Sequence, residues 1–456
     1  MGPVTLTLVG VSNAIGAGIF VLTGVAAAQH AGPAIAISFG IAALVCLLTA
    51  LCYAELSVLI PSAGGTYAYA AEAFGPFWAW IVGWCLILEY LVAGATVAVG
   101  WSSYAARGLA DLGIMLPPFL TRSAFEVGTD QSLGWASGGI NLPAIFIVLL
   151  CAIVLMRGIR GSVLFNSAMV AIKIAVILLV VGVGALYVEP ANWHPFVPPN
   201  GGEFGKYGWS GIFTGGAVTF FAFTGFEAMS NSAREARRPE RDLPIALLAA
   251  LGICAVLYIS MSLVLTGLTP YSRLDVASPV SAAIEGSGAN PQWLETVVNV
   301  GTVLGLGSAV LISLYGQSRI FLAMAQDGLM PRAFGVVHPT TRTPAVGTLI
   351  IGLAAALIAG LFPISLLGEL VSMGCLIAFA SVCVAVVALR RRAPDAARTF
   401  RVPLYPWIPI MGALSCFGLM FSLPPITWRY ISIWLAIGCL VFVAARIHLR
   451  LSRNPT

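Results

Sequence analysis

The side chains able to do chemistry in this sequence are few, and they sit where ionisable groups are costly. Lys173 stands within NSAMVAIKIAVILLV, Glu89 within LILEYLV and Glu227 directly after FFAFTGF, each inside a long apolar run. An ionisable residue buried that deep in hydrocarbon is a functional candidate by default, and Lys173 lies too far from either end of its run to snorkel to an interface. A lysine and two carboxylates so placed suit the carriage of a proton or the holding of a cationic group. Plainer roles stay open at this level: Lys173 as a permanently charged strut, each acid as a protonated bridge between helices. Glu55 and Glu72 lie nearer a run end and read as structural or inner-gate residues, and Glu369 reads as solvated or helix-bonding. His30, His194, His338 and His448 fall at run ends or in loops and never cluster, so no metal site and no nucleophile–base pair is expected.

A second kind of chemistry belongs to the backbone. Gly16-Ala17-Gly18, within VGVSNAIGAGIF, and Phe223-Thr224-Gly225-Phe226, within FFAFTGFEAMSN, interrupt two apolar runs. Interruptions free N–H and C=O groups, which the membrane interior tolerates only where protein buries them or a cavity needs them. The amides of Ala17, Gly18 and Ile19 would open a new half-helix, whose positive dipole end suits a carboxylate. Glycines that merely let helices pack closely are the bland alternative, and Gly301 and Gly305 are assigned to it. Interrupted segments at matching positions of two halves, however, point to a midplane binding site. A dinucleotide site is excluded because Val21 occupies the place of the third glycine. No Walker motif is present, so no nucleotide and no other cofactor is expected.

The elements that must position these groups are membrane spans. Of 456 residues, 59% are hydrophobic and 9% charged, with a mean hydropathy of +0.95. No water-soluble fold covers such a surface. Taking about 20 apolar residues per span, the chain divides into about twelve, near 4–29, 33–60, 75–108, 140–157, 163–187, 208–233, 243–268, 292–326, 344–362, 365–390, 405–423 and 429–448. Pro239, in the charged turn REARRPERD, is expected to stop a helix. The nine cysteines all lie in apolar runs without a CxxC pair and read as small core residues. Net charge is +5, and its distribution is informative. Threading the spans puts Arg234, Arg237, Arg238, Arg241, Arg390, Arg391, Arg392, Arg446, Arg450 and Arg453 on one side, against Arg107, Arg122, Lys206, Arg273 and Arg429 on the other. The positive-inside rule places both termini in the cytoplasm of a cell (inner) membrane protein. These arginines are topology signals, so nucleic acid is not an expected partner.

Five stretches carry a family likeness: GVSNAIGAGIFVLTGVAA, PSAGGTYAYAAEAFG with Tyr53-Ala54-Glu55-Leu56, GWCLILEYLVAGATVAVGWSSY, FFAFTGFEAMSNSAREARRPERDLPIA and GQSRIFLAMAQDGLMP. The chain resembles the amino acid–polyamine–organocation (APC) superfamily, most closely its cationic amino acid transporter branch. The resemblance implies an all-α, LeuT-like fold with broken helices 1 and 6: one inverted five-helix repeat over 1–187, a second over 188–392, and two peripheral helices over 393–456. It implies transport of cationic or small neutral amino acids, by proton coupling or by exchange, with amino acid, protons and the lipid bilayer as partners; a sensor that binds without transport is the alternative from another class. It places the substrate on Ile15, Gly16, Ala17, Gly18 and Ile19, with carbonyls of Ala14, Phe221, Ala222 and Thr224 for the ammonium and Phe221 as the closing aromatic. It sets Lys173 beside the first break in the position of a coupling cation, with Glu89 and Glu227 in coupling roles. Two departures are visible: the chain begins almost at span one, and Ala17 stands where relatives carry Thr or Ser, leaving only main-chain groups there.

Overall fold

The computed structural model describes residues 2–453 apart from 63, 129–131, 137–138, 158–162, 228, 230–235, 288–291, 327, 329, 331 and 337–342. Arg234 and His338 therefore fall outside the described residues. The helices in chain order are α1 (Pro3–Ala14), the short α2 (Thr23–Ala26), α3 (Ile35–Leu59), α4 (Gly65–Phe74), α5 (Pro76–Asp111), α6 (Leu142–Met156), α7 (Val163–Gly184), α8 (Gly208–Thr219), α9 (Pro239–Leu268), α10 (Pro279–Gly286), α11 (Gln292–Gln326), α12 (Ala345–Leu361), α13 (Ile364–Arg392), α14 (Trp407–Ser422) and α15 (Pro425–Arg453). Among the described residues, seven helical segments are long and apolar enough to cross a membrane, while α6, α12 and α14 are apolar but shorter. The first of the seven, Gly18–Leu59, is divided at Gly32, whose φ of 60° ends one leg before Pro33 starts the next.

Most expected spans match helices to within a few residues, and the differences have local causes. Pro239 opens α9 instead of stopping a helix, because at the first helical position its missing N–H is not needed and its fixed φ suits the turn. Glu240 and Asp242 in the same first turn favour the helix dipole, and the Asp242 carboxylate accepts the Arg238 amide at 3.2 Å. Three short elements between the spans were not expected: α4, α10 and a hairpin of β1 (Phe125–Val127) with β2 (Leu133–Trp135), antiparallel with Phe125 opposite Trp135.

Small residues set the helix contacts, as they do where lipid leaves no hydrophobic force between helices. The long helices α5 and α11 run antiparallel, with Gly94 beside Ser313 and Leu314, Gly100 beside Leu306, and Gly316 under the Tyr90 ring. Gly301 faces Val176 and Gly305 faces the Lys173 stem, so both glycines do bring α11 against α7. On the other side of α5, Trp80 and Trp84 stack on each other, and Trp84 stacks on Trp434 of α15 at 4.7 Å. Trp80 Nε1 donates to Gly438 O, Trp84 Nε1 to Trp434 O and Trp434 Nε1 back to Trp84 O, at 2.8, 2.8 and 3.0 Å. All nine cysteines are free thiols and eight are buried.

The acids outside the deep runs sort themselves. Glu72 is exposed, whereas the Glu369 carboxylate accepts the Thr427 hydroxyl between α13 and α15. Glu55, 1% exposed, is an anchor: its carboxylate accepts Arg390 Nε at 2.9 Å and the Val402 amide at 2.7 Å, with Arg398 Nε at 3.4 Å. It thereby ties the segment after α13 to the end of α3, and the Tyr405 ring lies 4.2 Å from the Arg390 guanidinium. Glu55→Ala takes the carboxylate from the Arg390 guanidinium and the Val402 amide and the counter-charge from Arg398, and should destabilise the protein by about 3 kcal/mol, read as a lowered unfolding midpoint in detergent.

Candidate functional site

The first apolar run breaks where the sequence placed it. Helix α1 ends at Ala14, Ile15 is extended (φ −72°, ψ 102°), and helical geometry resumes at Ala17 (φ −61°, ψ −22°), leading into a π-turn over Gly18–Leu22. The first amides of a helical segment have no acceptor within it, which leaves Ala17, Gly18 and Ile19 as main-chain donors. The wide π-turn disturbs the carbonyl ladder too, and hydroxyls repair it. Thr23 Oγ1 donates to Ile19 O at 2.9 Å and Tyr104 OH donates to Phe20 O at 2.7 Å. Tyr104 OH also accepts the Val280 amide at 3.4 Å, tying α10 down over this half of the broken helix.

The second break follows α8. A 3₁₀ turn over Phe220–Phe223 gives way to extended Thr224 (φ −65°, ψ 148°) and to Gly225 with φ +103°, a conformation that favours glycine. The Phe221 carbonyl accepts both the amide and the hydroxyl of Thr224, at 3.1 and 2.9 Å. Of the four phenylalanines, Phe220 packs on Phe379, Phe223 on Phe39 and Tyr258, and Phe226 on Tyr53 and Phe379. Phe221 is in none of the described ring pairs.

The two breaks meet. A Cβ on Gly18 would run into the backbone of Ala222, and one on Gly225 would lie 2.8 Å from the Asn13 carbonyl oxygen. Gly16 differs: its missing Cβ has only Val97 Cγ2 nearby, at 3.8 Å. Room beside the first break thus lies at Gly16, while Gly18 and Gly225 are closed by the opposite break.

Lys173, 1% exposed, reaches the first break from α7. Its Nζ donates to Ser12 O at 3.2 Å and Ile15 O at 2.9 Å, the carbonyls released where α1 ends. The carbonyls of Ala14 and Ala222 are touched by neither Lys173 nor Thr224. Glu227 folds back on its own break, Oε2 accepting the Gly225 amide at 2.7 Å, while Oε1 is buried without a partner among the described residues. Glu89 enters between α5 and α13 where Gly374 leaves space, and its Oε2 is likewise buried without a partner among the described residues. The two carboxylates lie within electrostatic reach of each other and of Tyr53 and Tyr90. The structure therefore gathers the sequence candidates around the paired breaks, with the acids to one side.

Residues 1–445 match the profile of the amino acid permease family. The chain belongs to this family. It is 42% identical to the methylthioribose transporter of Bacillus subtilis, over 98% of this chain and 94% of that protein. It is 40% identical to the branched-chain amino acid permease BcaP of the same organism, over 99% and 94%. It is 36% identical to the vacuolar cationic amino acid transporter 4 of Arabidopsis thaliana, over 87% of this chain and 64% of that protein. The permease is a multi-pass membrane transporter and not an enzyme, and the likeness carried by the five sequence stretches is a true relationship.

Sequence reading missed two contributors: Tyr104 and Ser372, whose hydroxyl accepts the Phe221 amide, are single hydroxyls in apolar helices, without a pattern to single them out. The resemblance did set Lys173 against carbonyls of the first span, and its bonds go to those of Ser12 and Ile15. Gly225→Ala should damage folding through the left-handed φ and the Asn13 contact, whereas Gly16→Ala should fold normally and lose ligand, its methyl occupying the open space. Thermal unfolding alongside amino acid binding separates the two, and wild-type binding by Gly16→Ala would remove that space from the site.

Proposed function

We propose that this permease is a secondary, proton-coupled carrier of amino acids, working by alternating access around a midplane site. The observation that carries the reading is the pair of bonds from Lys173 Nζ to Ser12 O and Ile15 O. A cation buried in apolar surroundings is fixed there to the point where the first span unwinds, which is where a coupling ion can act on the helix that holds substrate. In this reading about twelve spans form two inverted five-helix repeats and two peripheral helices, with both termini cytoplasmic.

The α-carboxylate of the substrate takes the amides of Ala17, Gly18 and Ile19 at the positive end of the second half-helix. The ammonium takes the carbonyls of Ala14 and Ala222; the Phe221 carbonyl becomes a further acceptor only if Thr224 lets go of it. Phe221, outside the aromatic packing of its neighbours, closes over the ligand. With the ammonium form of Lys173, the bonds to Ser12 and Ile15 are charge-assisted, roughly twice as strong as neutral ones. Loss of the proton weakens them, freeing α1 to tilt, and reprotonation from the other side resets the helix. The unpaired oxygens of Glu89 and Glu227 are the acceptors able to relay that proton or meet a basic side chain. Both branched-chain and cationic amino acids therefore belong in the test, together with methylthioribose.

Lys173→Ala should abolish concentrative uptake into proteoliposomes under an imposed pH gradient, a loss of at least about 100-fold in accumulation rate where two charge-assisted bonds disappear, while binding of the same amino acids survives in part. Wild-type uptake should collapse with a protonophore and need no amino acid inside the vesicle. Uptake indifferent to the protonophore but dependent on internal amino acid would make the protein an exchanger with Lys173 as a strut, and binding without flux would make it a sensor.

A further inference from the structure

We infer that Ser372 of α13 is a positioning residue for the substrate site, doing for the second break what Lys173 does for the first. Ser372 is fully buried. Its Oγ accepts the Phe221 amide at 3.1 Å and donates to the Val218 carbonyl at 3.3 Å. Phe221 and Val218 are three residues apart, the amide and carbonyl that a 3₁₀ turn would pair directly. The hydroxyl bridges them where α8 gives way to the Phe220–Phe223 turn. A side chain inserted into the helical ladder is one of the recognised causes of a local bend or break.

The placement has consequences for the ligand groups. The residue held by this bridge is Phe221, the aromatic assigned to close over substrate, and the next is Ala222, whose backbone abuts Gly18 of the first break. Ser372 thus fixes the face of the second break that looks onto the first. The neighbouring contacts of α13 converge on the same place: Gly368 lies against Leu22, and Phe379 packs on both Phe220 and Phe226.

The correspondence with Lys173 is one of position as well as role. In the proposed two-repeat arrangement α7 is the fifth span of the first repeat and α13 the fifth span of the second. Each sends one polar side chain to the unwound point of its own repeat's first span. Lys173 bonds only to carbonyls and carries charge; Ser372 bonds to one amide and one carbonyl and carries none. The first break is therefore tied by a group whose grip depends on a proton, and the second by a group whose grip does not. Ser372 accordingly sets affinity and leaves energy coupling alone.

This inference rests on the transport reading, and one set of measurements separates the two. Uptake of tritiated L-leucine and L-arginine is followed in proteoliposomes for the wild type, S372A and S372T, with thermal unfolding of each purified protein. S372A should raise KM by about 5- to 30-fold, the loss of one to two buried hydrogen bonds, with the maximal rate per folded transporter and the dependence on the imposed pH gradient unchanged. S372T, which keeps the hydroxyl, should restore KM. A wild-type KM in S372A overturns the inference, as does a KM defect equally large in S372T, or a loss of uptake that merely tracks loss of folded protein. A wild type that neither transports nor binds any amino acid overturns the transport reading and this one together, whereas normal wild-type uptake with an unaffected S372A overturns this one alone.

Discussion

A backbone amide or carbonyl released from its helix inside hydrocarbon must find another partner, at a cost of several kcal/mol if it does not. The organisation around the two breaks follows from that constraint. Ser12 and Ile15 give their carbonyls to Lys173, Ile19 to Thr23, Phe20 to Tyr104, Phe221 to Thr224 and Val218 to Ser372, while the Gly225 amide goes to Glu227. Three of these six partners, Lys173, Tyr104 and Ser372, come from other helices, so the breaks knit α5, α7 and α13 to the unwound segments. What such partners leave unclaimed, notably the opening amides of the second half-helix and the carbonyls of Ala14 and Ala222, is what the proposed substrate site draws on.

The glycines of the breaks divide the work differently from what their spacing suggests. Gly18 and Gly225 serve close approach, each meeting backbone of the opposite break, and Gly16 alone borders open space. A single GxG run therefore contains one packing glycine and one glycine that leaves room, and both kinds are required for two interrupted helices to face each other across a small ligand.

Much of this was legible in the sequence, for identifiable reasons. Long apolar runs read directly as helices, because about 20 residues must cross the bilayer without a breaker. Lys173, Glu89 and Glu227 stood out because charge there is rare. Short elements did not stand out: α10 and the β1–β2 hairpin lie in polar stretches where periodicity is weak and tertiary contacts decide, and α4 is only ten residues, too few to read as a span. Pro239 was misread because a proline before an apolar run signals either a stop or a start, and only the charged residues of its first turn tell which. Glu55 read as structural or inner-gate, but its partners and the role of Ser372 were invisible, since each depends on residues far along the chain.

The stacked indoles between α5 and α15 bear on how the chain is made. Trp80 and Trp84 place their N–H groups on acceptors 358 and 350 residues later, in α15. Until that helix arrives, the face of α5 that it covers has two indole donors and two aromatic surfaces without their partners. Insertion can proceed span by span, but α5, which also carries Glu89, reaches its final surroundings only after α15 has been made. Docking of α15 is thus a late step of assembly, and a ribosome that stalls before it leaves a chain that holds both breaks around a helix not yet secured.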